Sequence, residues 1–244
     1  MSLVGGGIAV RRLIGPSLMA ATMLLVLLGL GTWQLRRLAW KEAILAQIAQ
    51  AEASPPVPLP PSPGEAAPPP FTKVAASGTL MHDKQALFGA EVRDTLAGPD
   101  LGAYLIEPLQ RAGAPPLLVD RGWVPLKRTT PVAMPQGEVT IAGYVHQADT
   151  PGMFAAHDDV AGRHFYTLDP AAIGAALGLD RVAPFVLIAL GPQAAPGVPV
   201  GLPTPAEHLP QPPNNHLQYA ITWYGLAAAL MVIFVIWARK AVRL

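Results

Sequence analysis

Two blocks of the chain, Leu13 to Leu35 and Leu217 to Trp237, are apolar without a single charged residue. Each is close to the ~20 residues needed to cross a ~30 Å hydrocarbon core at 1.5 Å per residue. Neither shows the polar stripe of a surface helix. Both are therefore predicted to be transmembrane helices, over 13–35 and over 214–237, where Asn214 or Asn215 can cap the start. Pro16 falls in the first turn of the first block, where its missing N–H costs little. Ala51-Glu52-Ala53 resembles a signal-peptidase site. It follows the apolar run by more than a dozen residues, past Arg36, Arg37 and Lys41, so the first block is predicted to be a retained anchor.

Between the blocks the pattern shortens. Runs rich in β-branched and aromatic residues, broken by Gly and Pro, predict strands over 71–80, 85–90, 103–109, 117–124, 138–146, 164–168 and 184–190. One helix is predicted, with Asp169 as N-cap, Pro170 at the first position and Gly178 ending it. The fold class is thus a membrane protein in which two transmembrane α-helices flank a mainly antiparallel β domain with minor α content, a small closed or half-open barrel, at 71–191. Proline frames this domain: nine of the 28 prolines lie in 55–70 and eight more in 192–213. Such segments are stiff and extended, and they read as stalks. Residues 40–53 continue as an interfacial helix with Ile44, Leu45 and Ile48 on one side, so 36–70 is interfacial helix plus stalk. Residues 1–12 and 238–244 are short tails.

Charge gives an orientation. Arg239, Lys240 and Arg243 follow the second helix, and no Lys or Arg lies between Arg181 and that helix. The positive-inside rule places the C-terminus in the cytoplasm. Two spans then put the N-terminus there too and the domain outside. A formal net charge of +1 offers no basic face for nucleic acid. With no Cys, the chain has neither disulfides nor thiolates for Cu(I). No organelle transit stretch precedes the first span. The reading is a bacterial plasma membrane with the domain in the periplasm.

Candidate chemistry is sparse in the domain. The six His show neither H-x-x-H nor H-E-x-x-H spacing, and no G-x-S-x-G or G-x-x-x-x-G-K-[ST] occurs. His157-Asp158-Asp159 reads as a solvated loop before it reads as a metal site. Two segments at the outer membrane boundary stand out instead. In Gly31-Thr32-Trp33-Gln34-Leu35-Arg36-Arg37-Leu38-Ala39-Trp40-Lys41, a continuing helix puts Trp33, Arg37 and Trp40 on one face. In Pro213 to Tyr224, His216 lies in the first turn with Tyr219, Ala220 and Trp223 below it. An aromatic belt with snorkelling cations and a solvated cap accounts for the same spacings.

At these residues the chain resembles the Surfeit-1 family, assembly factors of haem-copper cytochrome c oxidase. The resemblance rests on G-T-W-Q-L-R-R-L-A-W-K at 31–41, R-G-W-V-P at 121–125 and N-N-H-L-Q-Y-A-I-T-W at 214–223, in the family's order and across the whole chain. A weaker match runs from Phe165-Tyr166 to A-A-L-G-L at 175–179. Asp120 departs from the pattern, standing where many members have Asn, and the Pro-rich stalks are longer than expected.

The resemblance implies a non-enzymatic role in maturing subunit I of cytochrome c oxidase, with haem a bound transiently and haem a synthase as a further partner. It implies His216 as axial ligand to haem iron, an ordinary use of imidazole. Arg37, Trp33, Trp40, Tyr219 and Trp223 would then complete the cofactor-binding surface. A haem at the membrane surface suits a molecule whose isoprenoid tail needs lipid and whose propionates need water or cations. Two other classes remain open from sequence: an accessory structural subunit of the oxidase without haem, and a tethered periplasmic enzyme.

Overall fold

The computed structural model describes residues 5–62, 66–95, 98–127, 130–153, 155–191 and 201–243. Its elements are helix α1 (Gly5–Ala53), strands β1 (Val57–Pro58), β2 (Lys73–Leu80), β3 (Ala86–Thr95), β4 (Gly98–Gln110), β5 (Leu117–Pro125), β6 (Glu138–Gln147) and β7 (His164–Phe165), helix α2 (Pro170–Ala176), strand β8 (Phe185–Ala189) and helix α3 (His216–Arg243). The chain divides into two compact units, residues 1–47 with 211–244, and residues 48–210.

The first unit is a helix pair. Both helices are long and apolar enough to cross a membrane, yet only 6% of the apolar window in α1 and 11% of that in α3 is buried within the protein. A core helix of a soluble domain would be mostly covered, so these faces belong in lipid. Leu27, Gly31 and Gln34 are buried on α1, and Ala220 and Ala227 on α3. Small residues at these spacings let two helices meet closely where lipid removes the usual hydrophobic drive. The first span and the expected interfacial helix are parts of one 49-residue helix, because nothing between Leu35 and Trp40 breaks helical geometry; the helix begins at Gly5, within the expected tail, so Pro16 lies in its interior and not in its first turn.

The second unit is a closed barrel of five strands. β2 pairs antiparallel with β6, β6 with β8 and β4 with β5, while β5 and β8 run parallel. Closure comes from β4, which at 13 residues is long enough to serve two partners on one edge. Its first part pairs with β3, and its end reaches β2 through Thr79↔Gln110 and Leu80↔Leu109. Alternate residues of the strands fill the interior: Val74, Ala76, Leu80, Leu117, Val119, Val145, Phe185 and Leu187. A second core under α2 gathers Ile106, Leu118, Phe165, Ile173, Leu177 and Val186. β5 is covered on both sides, so that even Asp120 in its middle is buried between the apolar runs Leu117–Val119 and Trp123–Val124. As the sequence indicates, Asp169 caps α2 by accepting the Ala171 N–H at 2.9 Å, with Pro170 opening the helix and Gly178 beyond it at φ +68°.

The proline-rich flanks differ from free stalks. Val57 and Pro58 pair in parallel with Val74 and Ala75, and the Leu59 N–H donates to the Ala75 carbonyl. Residues 202–206 lie along the barrel: Trp123 and Thr204 exchange backbone hydrogen bonds of 2.8 and 2.9 Å, and Ala206 bonds Ala189. Proline removes single donors but leaves its neighbours able to pair. Residues 63–65 and 192–200 lie outside the described residues. The strand expected at 164–168 shortens to His164–Phe165, since the Tyr166 and Thr167 N–H groups turn instead to the Asp158 carboxylate.

Candidate functional site at the paired helices

R-G-W-V-P at 121–125 is accounted for by the barrel. The Arg121 guanidinium pairs with Glu107, which is fully buried and also receives Gln85 Nε2 at 2.7 Å. Gly122 sits at φ +118°, and a Cβ there would meet the Thr204 carbonyl oxygen at 2.1 Å. Glycine is what lets the 202–206 strap approach so closely. His82 Nδ1 lies 3.1 Å from Glu107 and its Nε2 2.9 Å from the Pro135 carbonyl oxygen. Both partners are acceptors, so the imidazolium is favoured and the His82 pKa is raised, chiefly by the Pro135 carbonyl bond and also by Glu107. These groups satisfy one another.

The other candidate groups in the domain are likewise structural. The His157-Asp158-Asp159 loop spends its carboxylates on backbone: Asp158 Oδ1 accepts from Tyr166 at 2.6 Å, and Asp159 Oδ1 from Gly162 at 2.9 Å. Among the described residues no cluster of three or more His, Cys, Asp or Glu could hold a metal ion. His164 stacks on Tyr166 at 4.9 Å between centroids and bonds the Gly89 carbonyl.

At the helix pair the arrangement is different. His216 is the first residue of α3, half-buried, and its backbone N–H reaches Asn214 Oδ1 at 3.4 Å. The imidazole turns to α1, where Nδ1 lies 2.8 Å from Gln34 Oε1. A carbonyl oxygen only accepts, so in the neutral ring this contact pairs with the tautomer that has its hydrogen on Nδ1 and its lone pair on Nε2. A histidine held in this way by a partner on one nitrogen is a one-point donor to a metal on the other. That is the chemistry the site offers, and it comes from one side chain.

The remaining sequence candidates surround this pair unevenly. The Arg37 guanidinium lies over the Trp40 ring at 3.7 Å from its centroid, an i,i+3 cation–π contact that fixes a cation one turn beyond Gln34. Trp33 and Trp40 are both exposed, as is Tyr219, while Trp223 is half-buried. Of the residues expected below His216, Ala220 faces α1 at 1% exposure and Tyr219 turns outward. A turn deeper, Tyr224 hydroxyl and Thr32 Oγ1 meet at 3.0 Å. Gln34 was not among the sequence candidates. Its signal was available: a neutral polar residue inside an apolar span, three and seven residues from two other seam positions, is a mark of interhelical bonding.

Comparison with known proteins agrees with this distribution of motifs. Surfeit locus protein 1 of Mus musculus is 30% identical over 230 residues, 88% of this chain and 72% of the mouse protein. The Rattus norvegicus protein of the same name is 31% identical over 230 residues with the same shares. SURF1-like protein of Rickettsia felis is 30% identical over 220 residues, 89% of this chain and 94% of the relative. The family match runs over residues 21–228, taking in both interfacial segments and the whole barrel, and the chain belongs to the SURF1 family.

Proposed function

We propose that this protein is a non-enzymatic assembly factor for haem-copper cytochrome c oxidase that holds haem a and assists its delivery to subunit I, with haem a synthase as the donor. Its setting in this reading is a bacterial plasma membrane, with the barrel in the periplasm and both termini in the cytoplasm. Family membership and the two apolar helices support the reading. The single observation that carries it is the 2.8 Å contact between His216 Nδ1 and Gln34 Oε1, which leaves Nε2 as a ready axial donor.

Haem a supplies an iron with axial positions, anionic propionates and a long apolar tail. His216 gives the iron an imidazole nitrogen at the end of a membrane helix. Arg37, stacked on Trp40, is placed for a propionate, since charge-assisted bonds to Arg are about twice as strong as neutral ones. Trp33, Tyr219 and Trp223 offer aromatic surface at the depth where an amphipathic ring system rests.

The test is the visible spectrum of the full chain purified from cells that make haem a. His216→Ala should lose the bound haem, and Arg37→Gln should weaken binding about tenfold, the worth of a ~1.5 kcal/mol charge-assisted contact. His157→Ala, on an exposed loop, should leave the spectrum unchanged. Full haem content in His216→Ala would remove the ligand assignment. A haem-free wild-type protein present at fixed stoichiometry in active oxidase would favour an accessory subunit instead.

A further inference from the structure

We infer that Gln34 is the positioning residue of the His216 site: its amide carbonyl selects the Nδ1–H tautomer of the imidazole and thereby presents the Nε2 lone pair to an incoming ligand. The inference rests on the haem-binding reading above and adds to it the residue that prepares the ligand before any haem arrives.

Three observations meet at this amide. Gln34 is 8% exposed within an apolar span, a costly place for a polar side chain unless it is hydrogen-bonded. It shares the buried face of α1 with Leu27 and Gly31, so the close approach that Gly31 and Ala220 allow is what brings the amide to α3. Its Oε1, 2.8 Å from Nδ1, is the hydrogen-bond partner of the ring, while the backbone N–H of the same His is turned to Asn214. Asn214 thus caps the helix start, while Gln34 holds the ring itself.

The choice of atom matters because one amide can write two opposite outcomes. A carbonyl facing Nδ1 requires Nδ1–H and frees Nε2. An NH2 facing Nδ1 would require the Nε2–H tautomer and would block that nitrogen as a donor. Isolated neutral histidine favours Nε2–H in water, so the Gln34 carbonyl works against the default. A ligating His whose second nitrogen is held by an oxygen also has a more basic donor atom.

Histidine labelled with 15N in the full chain, in detergent micelles and without haem, reads the tautomer directly. Wild type should show His216 as Nδ1–H, with the signal assigned by its loss in His216→Ala. Gln34→Leu should move it to Nε2–H, and Gln34→Glu, whose carboxylate is an acceptor only, should restore Nδ1–H. Titration with haem a should then show a 10- to 100-fold weaker site in Gln34→Leu, the usual cost of removing such a partner. It should also show near-native affinity and a lower haem reduction potential in Gln34→Glu. A merely structural role would move neither the tautomer nor the potential. An Nε2–H tautomer in wild type, or an unchanged tautomer in Gln34→Leu, overturns the inference. So does a shifted tautomer with unchanged haem affinity, which leaves the haem reading intact when His216→Ala still loses haem. Unchanged haem binding in His216→Ala overturns that reading and this one together, and the labelled spectra tell the two failures apart.

Discussion

Asp120 is the clearest single residue at which burial sets chemistry. It is 4% exposed on a strand covered on both faces, and its carboxyl is pushed up to about 7. Burial is the main cause, opposed by the Gly122 N–H bond at 2.8 Å and by the Arg93 charge. A folded-state pKa above the unfolded value means that the associated stability is complete below about pH 4 and is lost as pH rises through about 7. His82, also raised, acts in the same sense from its ordinary value upward, while Glu52 and Glu91, both lowered, lose their contribution only as pH falls. Asp120→Asn keeps an oxygen for the Gly122 N–H and removes the ionisation. Thermal unfolding of the full chain should therefore lose most of its slope between pH 4 and 7 in this variant. At pH 8 the gain should be on the order of 4 kcal/mol, at 1.36 kcal/mol for each of the roughly three units between the unfolded and folded pKa. An unchanged slope would show that Asp120 ionises freely in the folded protein.

At the scale of elements, the helix pair is held by a few contacts that a lipid-facing surface makes decisive. A Cβ on Gly31 would meet the Tyr224 ring at 3.0 to 3.1 Å, so the aromatic ring rests on a glycine. Thr32 already donates to the Leu28 carbonyl at 2.8 Å, which makes the Tyr224 hydroxyl the donor in the 3.0 Å contact between them. Gly31→Val should overpack the seam and destabilise the pair by about 1 to 3 kcal/mol, whereas Tyr224→Phe should cost under about 1 kcal/mol, as interhelical bonds usually do. In Gly31→Val with Tyr224→Ala the two changes should be less than additive, because the ring that clashes is gone. Additive losses in denaturant titrations would show that Gly31 and Tyr224 do not share a contact. Much of this level was legible in the sequence. Charge-free runs gave both membrane helices, the Asp-Pro…Gly frame gave α2, and short runs broken by Gly and Pro gave the place of each long strand. What escaped depends on contacts distant in sequence. The strap at 202–206 pairs through the few donors a Pro-rich run retains, and β3 extends to Thr95 because β4 offers it an edge beyond the barrel. Gln34 was hidden for the same reason, its meaning resting on a partner 182 positions away.

The whole molecule poses the question of sidedness, which the geometry of neither unit decides alone. α1 at 49 residues is about 74 Å long at 1.5 Å per residue, more than twice the hydrocarbon thickness. Its apolar block ends at Leu35, after which Arg36, Arg37 and Lys41 follow within two turns. These cations compete with Arg11 and Arg12 for the cytoplasmic side, so α1 gives no orientation of its own. α3 does: Arg239, Lys240 and Arg243 stand at one end, and the 34 residues from Val182 to Asn215 before the other contain no Lys or Arg. The bias of α3 should prevail, since both helices must agree once a single domain joins them. A reporter active only outside the cytoplasm, inserted at Gly152 in an exposed loop of the barrel unit, should be active. The same reporter fused after Leu244 should be silent. Replacing Arg239, Lys240 and Arg243 together by Gln should weaken this asymmetry, while Gln at Arg11 and Arg12 should change it less. Activity of the C-terminal fusion in the otherwise unaltered chain would reverse the assignment, and would place His216 and Arg37 on the cytoplasmic face of the membrane.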